Sequence, residues 1–173
     1  MARVYLHAYQ ITDNEFYKRS TTELLDYVIR EMTSPEGGFY STQDADSEGH
    51  EGKFFVWTPE EIRSVLGGSA SGLLIVSKKP TNETNDVQLF MDAYGVTAQG
   101  NFEGANILHR VRDTDVLAEM HKLDQSEVER KLNEARQKLF NARERRVKPA
   151  RDEKILTGWN GLMLAAFAQS ARC

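Results

Sequence analysis

The chain has 173 residues, 40% of them hydrophobic, a size and composition that suit one domain with its own core. Its 22 basic and 26 acidic residues give a formal net charge of -4, which disfavours binding to nucleic acid or to anionic membranes. Cys173 is the single cysteine, so the sequence excludes an internal disulfide and predicts a reducing, cytoplasmic location. No apolar run approaches the roughly 20 residues of a membrane span.

The first predicted element is a helical hairpin. Apolar residues between Val4 and Tyr9 indicate a first helix. A second helix is expected to begin at Asp13, because Thr12 and Glu15 have the spacing of a capping box. Apolar residues then recur at helical spacing until the proline- and glycine-containing turn at 34–38 ends the helix.

A small β-hairpin and a short helix are predicted next. The aromatic runs 39–40 and 53–57 favour strands, and we expect them to pair around an acidic loop. Thr58 and Glu61 then form a second capping box, with Pro59 at the first helical position. Residues 69–86 stay unassigned, because their apolar run suits either a strand or a turn of buried helix.

Three more helices complete the prediction. One runs from about Val87 to Tyr94 and is followed by a loop at 101–106. Asp124 opens the next, whose apolar face is formed by Val128, Leu132, Ala135 and Leu139. The last helix is expected to carry one apolar stripe, formed by Trp159, Leu162, Met163, Ala166 and Phe167. Such a stripe must pack on earlier residues or on a segment outside this chain.

The acidic segment places four carboxylates within eight residues: Asp44, Asp46, Glu48 and Glu51. The segment does not match the EF-hand calcium-binding motif, because Phe55 occupies the position at which the motif needs a bidentate glutamate. Two interpretations remain open. The carboxylates line a sugar site as acid and base, or they belong to a solvated loop whose side chains bond their own backbone.

A second polar segment joins Asp152 and Glu153 to Trp159 and Asn160 at the start of the last helix. A tryptophan face beside an amide suits stacking on a sugar ring, although tryptophan at a helix start also suits a core position. The basic run 143–154 fits charge compensation at a helix end. The four histidines have no metal-ligand spacing, so we expect no metal and no cofactor.

Several ordered blocks carry a family resemblance. They are GGFYS at 37–41, DADSEG at 44–49, EGKFFVWT at 51–58, YGV at 94–96, GNFEGANIL at 100–108 and DEKILTGWNGL at 152–162. With these blocks the chain resembles the spermatogenesis-associated protein 20 family, whose bacterial members are usually called thioredoxin-domain proteins. The resemblance implies a mainly α fold, a partial (α/α)6 toroid similar to six-hairpin glycosidases, with a small β-hairpin. Residues 1–173 would then be a single incomplete helical-hairpin domain.

If the chain is part of a toroid, its polar loops become better candidates for a functional site, because loops at one end of such a ring line its central cavity. The leading hypothesis is a carbohydrate-active core, hydrolase or epimerase-like, although the sequence leaves open whether the chain is an enzyme. The candidate acids and bases are Asp44, Asp46, Asp152 and Glu153, and the candidate sugar contacts are Trp57, Asn106, Trp159 and Asn160. We expect the acidic segment and the 152–160 segment to meet.

The rival hypothesis is a non-catalytic binding or scaffolding module that serves a thioredoxin-like domain. The expected partners are therefore a carbohydrate ligand, the thioredoxin-like domain that the resemblance implies, and the remaining helices of the toroid. A carboxylate pair facing a cavity would favour the enzyme, and fully solvated carboxylates would favour the module.

Overall fold

A computed structural model of the protein describes residues 1–67 and 82–171, with the backbone alone for 82–84. Seven α-helices lie in this part of the chain: α1 (Ala2–Thr12), α2 (Glu15–Glu31), α3 (Pro59–Leu66), α4 (Asn82–Tyr94), α5 (Thr114–His121), α6 (Gln125–Arg143) and α7 (Thr157–Ser170). Four two-residue strands accompany them: β1 (Thr42–Gln43), β2 (Asp46–Ser47), β3 (His50–Glu51) and β4 (Arg151–Asp152). The prediction of a mainly helical chain is confirmed.

The chain divides into two compact units. The first unit comprises Met1–Ala45 and Pro149–Cys173, and the second comprises Asp46–Lys148. The prediction of a single domain over 1–173 stays a prediction. Within the described residues, no helix combines the length and the apolar character needed to cross a membrane.

The helical hairpin predicted for the first unit is present, but its turn differs from the prediction. Thr12 belongs to the end of α1, where its hydroxyl donates to the carbonyl oxygen of Ala8 at 2.7 Å. Asn14 caps α2 instead, because its side-chain oxygen accepts the N–H of Phe16 at 2.9 Å. Asp13 adopts a left-handed conformation with φ of 54°. The prediction that Thr12 caps the second helix is therefore wrong, because Thr12 is the last residue of the preceding helix.

The predicted hairpin between 39–40 and 53–57 is also wrong. β1 pairs with β4 in an antiparallel ladder, and β2 pairs with β3 as a tight hairpin within the acidic segment. Phe39 instead bridges to Thr33, and Trp57 bridges to Asn106. The two aromatic runs have other backbone partners and do not pair with each other.

The second capping box is confirmed in full. The backbone N–H of Thr58 donates to the Glu61 carboxylate at 2.8 Å, and the N–H of Glu61 donates to the Thr58 hydroxyl at 3.2 Å. Pro59 occupies the first position of α3, and Ile62 is fully buried. Because every one of these contacts lies within one turn, the local sequence is sufficient to specify them.

The core of the second unit is built mainly by α3, α4, α5 and α6. The face predicted for α6 is confirmed, since all four of its members are buried: Val128, Leu132, Ala135 and Leu139. α4 begins at Asn82, earlier than the predicted Val87, so part of the unassigned stretch 69–86 is helical. Its residues 69–81 lie outside the described residues. α5 was not predicted, although its Leu117 is fully buried.

The final helix is apolar around its circumference rather than along one stripe. Of its residues only Ala166 is fully buried, and Phe167 stacks on Phe39 with ring centroids 5.5 Å apart. Trp159, Leu162 and Leu164 are 53%, 63% and 59% exposed. A helix with this composition is typical of one that has neighbours on several sides.

Candidate functional site

The β1–β4 ladder brings the acidic segment and the Asp152 segment together within the first unit. Thr42 lies opposite Asp152, and the N–H of Asp44 donates to the carbonyl of Ala150 at 2.7 Å, which extends the ladder by one residue. The expectation that the two segments meet is confirmed at these residues. Because side chains alternate along a strand, Asp44 and Asp152 share one face of the ladder with Thr42.

The opposite face of the ladder packs toward α2. The Arg151 guanidinium donates to the carbonyl of Glu31 at 2.7 Å and lies over the ring of Tyr40, 4.2 Å from its centroid. The Tyr27 hydroxyl donates to the side-chain oxygen of Gln43 at 2.7 Å. These contacts hold one face inside the unit, so the face that carries Asp44 and Asp152 is turned outward.

The spacing of the two aspartates follows from their register. Asp44 and Asp152 are diagonal neighbours, and such pairs in an antiparallel ladder are about 7–8 Å apart. This spacing separates the two backbone positions, and since both side chains project from the same face, both carboxylates can contact one bound molecule.

Asp152 is the carboxylate with the most defined surroundings. Its side chain accepts the backbone N–H of Lys154 at 3.2 Å and contacts the Lys154 ammonium at 3.2 Å. These two hydrogen bonds, in that order, lower the pKa of Asp152 below its ordinary value. Asp152 is therefore ionised at neutral pH, and the same hydrogen bonds make it a weaker base than an ordinary aspartate. Glu153 beside it pairs with Arg151 at 3.0 Å.

Replacing Lys154 by methionine is expected to raise the pKa of Asp152 part of the way toward its ordinary value of 3.8, since the backbone N–H remains. Carboxyl carbon shifts in an NMR pH titration measure this pKa. Because the pKa of Asp152 is lower in the folded state, its ionised carboxylate stabilises the fold at any pH above the pKa of the unfolded state. This stabilisation is lost as the pH falls through the pKa of the folded state. Lys138→Met, an exposed lysine on α6, should leave the titration unchanged. An unshifted Asp152 in the wild type would contradict this account.

Asn160 holds the chain before β1 against α7. Its side-chain oxygen accepts the N–H of Phe39 at 2.7 Å, and its amide donates to the carbonyl of Phe39 at 2.9 Å and of Leu156 at 3.1 Å. The amide thus pairs with both backbone groups of one residue, as a neighbouring strand would. Trp159, by contrast, is 53% exposed.

Trp57 and Asn106 lie in the second unit and are buried to 4% and 1% exposure. The Arg146 guanidinium covers the Trp57 ring at 4.0 Å from its centroid. The Asn106 amide donates to the carbonyls of Trp57 and Thr97 at 3.2 and 3.1 Å, and its oxygen accepts the N–H of Thr97 at 3.0 Å. This placement gives both residues a structural role.

Asp46 also lies in the second unit, on β2, where it stands opposite Glu51 in the short hairpin. The neighbouring Ser47 hydroxyl donates to the carbonyl of Val147 at 2.6 Å. Lys53 and Glu48 form an ion pair at 3.1 Å near the same hairpin. The acidic segment thus contains an ordered hairpin, and its four carboxylate residues are all exposed to solvent, as in the solvated alternative.

Sequence reasoning missed the individual roles of three cations in the basic run. Arg146 covers Trp57, Arg151 contacts the end of α2, and Lys154 lowers the pKa of Asp152. The sequence around each of these cations does not predict the group that it contacts. Their spacing carried no signal beyond that of a basic helix end.

These features define a class of protein: a mainly helical chain with helical hairpins and an outward carboxylate pair on a short β-ladder. Spermatogenesis-associated protein 20 of Homo sapiens is 34% identical to the chain over 184 residues, which include 97% of it. The Mus musculus protein of the same name is 34% identical over 181 residues, or 95% of the chain. The chain belongs to the spermatogenesis-associated protein 20 family.

The relatives are much longer than this chain, which spans 22% of the length of the human and mouse proteins. The Rattus norvegicus protein of the same name is likewise 34% identical over 95% of the chain. No protein-family model matches the chain.

Proposed function

We propose that the chain contributes the acid and the base of a carbohydrate-active enzyme. The observation that carries this proposal is the shared outward face of Asp44 and Asp152 on the β1–β4 ladder. Glycoside hydrolysis uses two carboxylates on either side of the scissile bond, about 6.5–9.5 Å apart where a water attacks directly. The backbones of Asp44 and Asp152 are about 7–8 Å apart with both side chains on one face, which supports placing their carboxylates around one sugar.

The two aspartates differ in the role that each suits. Asp152, which is ionised at neutral pH and shares a face of the ladder with Asp44, takes the place of the general base. It takes a proton from the water that attacks the anomeric carbon. Asp44 takes the place of the acid that delivers a proton to the leaving oxygen as the glycosidic C–O bond breaks. This arrangement inverts the configuration at the anomeric carbon.

The other candidate residues have secondary roles in this proposal. Trp159 offers an exposed indole face for stacking on a sugar ring, seven residues after Asp152 in the chain. Glu153 is paired with Arg151 and is the weaker candidate for proton transfer. Asp46 remains a candidate acid on β2. The same pair of carboxylates would also suit an epimerase-like reaction, in which one removes and the other returns a proton.

We further propose that the chain forms part of an (α/α)6 toroid in a longer polypeptide that also carries a thioredoxin-like domain. The α1–α2 hairpin supports a ring built of helical hairpins. The exposed apolar residues of α7, Trp159, Leu162 and Leu164, support further helices packing on this side of the first unit. The length of the relatives leaves room for both partners.

The rival function is a non-catalytic module that binds or supports the thioredoxin-like domain. Its specific support is that three of the four candidate sugar contacts make internal bonds instead: Trp57, Asn106 and Asn160. A sugar site would then depend on Trp159 alone among them. The same experiment separates the two functions.

The test is a screen of the complete polypeptide against sugars and glycans for binding and turnover. We expect Asp152→Asn and Asp44→Asn each to lower kcat by about 10²–10⁴-fold while binding is retained, because amides cannot exchange the proton. Glu119→Gln, an exposed acid on α5, should keep full activity. The product released by the wild type should have the inverted anomeric configuration. Failure of the wild type to bind any sugar would instead favour the module.

A further inference from the structure

A cavity of about 330 Å³ opens between α1, α2 and α7 of the first unit, away from the residues of the β1–β4 ladder. Its floor is apolar and is formed by Leu6, Leu25 and Phe167. Pockets of this size and character, with few polar groups, are typical of small-molecule sites between helices. The identity of the polar groups therefore indicates what kind of molecule it suits.

The first polar group is the ammonium of Lys18. Its recorded polar contact is the hydroxyl of Tyr9 at 3.4 Å, and it lies 5.2 Å from the centroid of that ring. Within 1–67 and 82–171, Lys18 has no carboxylate at ion-pair distance. The hydrogen bond with Tyr9, with smaller effects of Glu15 and Asp13, raises the pKa of Lys18, so the group is charged at neutral pH. Because Glu15 and Asp13 act on the ammonium without forming an ion pair with it, the ammonium is available to pair with the carboxylate of a bound molecule.

The second polar group is the hydroxyl of Ser170, near the end of α7. This oxygen is buried and has no hydrogen-bond partner among the described residues. Buried hydroxyls are almost always paired, because an unpaired one keeps the cost of leaving water. A bound molecule with an oxygen near Ser170 would remove that cost.

The remaining polar groups do not compete for the anion. The hydroxyls of Thr21 and Thr22 donate to carbonyls of their own helix at 2.9 and 3.1 Å. Asp26 also lines the cavity, but it stands eight residues after Lys18, or about 12 Å along α2. It is exposed to solvent, so its charge is screened from the Lys18 end.

We propose that this cavity binds a small apolar carboxylate, such as a medium-chain or aromatic acid. The ligand carboxylate pairs with Lys18, its apolar body packs on Leu6, Leu25 and Phe167, and the Ser170 hydroxyl donates to a ligand oxygen. The site is separate from the proposed sugar chemistry, and it does not depend on that function.

The test is an NMR titration of the full chain with octanoate, following the methyl groups of Leu6 and Leu25. We expect saturable shifts at both, and a dissociation constant about fivefold to tenfold higher in Lys18→Met, which keeps the apolar stem but removes the charge. Octanol, which lacks the carboxylate, should bind the wild type and Lys18→Met equally. The exposed Lys138→Met should bind octanoate as the wild type does.

A second variant makes the result independent of charge. Ser170→Leu removes the unpaired hydroxyl and fills the cavity, so octanoate should no longer shift the Leu6 and Leu25 methyls, while the thermal transition is kept or raised. Three outcomes would overturn the proposal. They are no saturable shifts up to millimolar octanoate, equal octanoate affinity in wild type and Lys18→Met, and unchanged binding in a folded Ser170→Leu.

Discussion

Replacing Arg146 by methionine is expected to lower the free energy of unfolding of the second unit by about 3 kcal/mol. The guanidinium donates to the carbonyls of Phe54 and Val56 at 3.0 and 2.7 Å and pairs with Glu61 at 3.2 Å. It also covers the face of Trp57. Each of these part-buried carbonyls left without a donor costs up to about 1–3 kcal/mol, and the lost cation–π contact adds about 0.5–2 kcal/mol.

Arg145 provides a matched control for this measurement. It is the adjacent arginine, it is exposed, and its guanidinium forms no ion pair or hydrogen bond with the residues that the structure describes. Arg145→Met should therefore change the free energy by less than about 0.5 kcal/mol. Urea unfolding followed by Trp57 fluorescence, in a Trp159→Phe background, reports on the second unit. Equal losses in the two variants would refute the role given to Arg146.

Replacing Asn106 by alanine should cost about 2–4 kcal/mol, because it leaves the N–H and the carbonyl of Thr97 without their partner in a buried site. Asn106→Asp should be as costly, since it keeps an acceptor but loses both donors and buries a charge. The same unfolding measurement applies. The result bears on function, because Asn106 was a candidate sugar contact.

Asn101 is the control for Asn106. It makes the same pair of bonds with Ile107, accepting its N–H at 2.7 Å and donating to its carbonyl at 3.0 Å, but it is exposed. Water can replace the lost amide there, so Asn101→Ala should cost only about 0.5–1.5 kcal/mol. If Asn106→Ala left stability unchanged and reduced ligand binding, the structural role would be rejected.

Several elements follow from the sequence because their causes are local. The capping box of Thr58 and Glu61 needs only residues within one helical turn. The buried face of α6 follows from the spacing of its apolar residues. Where two local patterns competed, the prediction failed. Thr12 could begin one helix or end another, and its position was decided by how far α1 extends.

The sequence by itself determined the candidate carboxylates, the mainly helical class and the family blocks, since these depend on residue types and their spacing. Only the tertiary structure decided which of them meet. Thr42 and Asp152 are more than a hundred residues apart, and no local preference selects that pairing over the hairpin expected between 39–40 and 53–57. The amides of Asn106 and Asn160 bind the backbone of Trp57 and of Phe39, 49 and 121 residues away in the chain, so each aromatic run has a partner other than the other run. Long-range hydrogen bonds form only when packing has brought both partners out of water, so their energy does not appear in any short stretch of sequence.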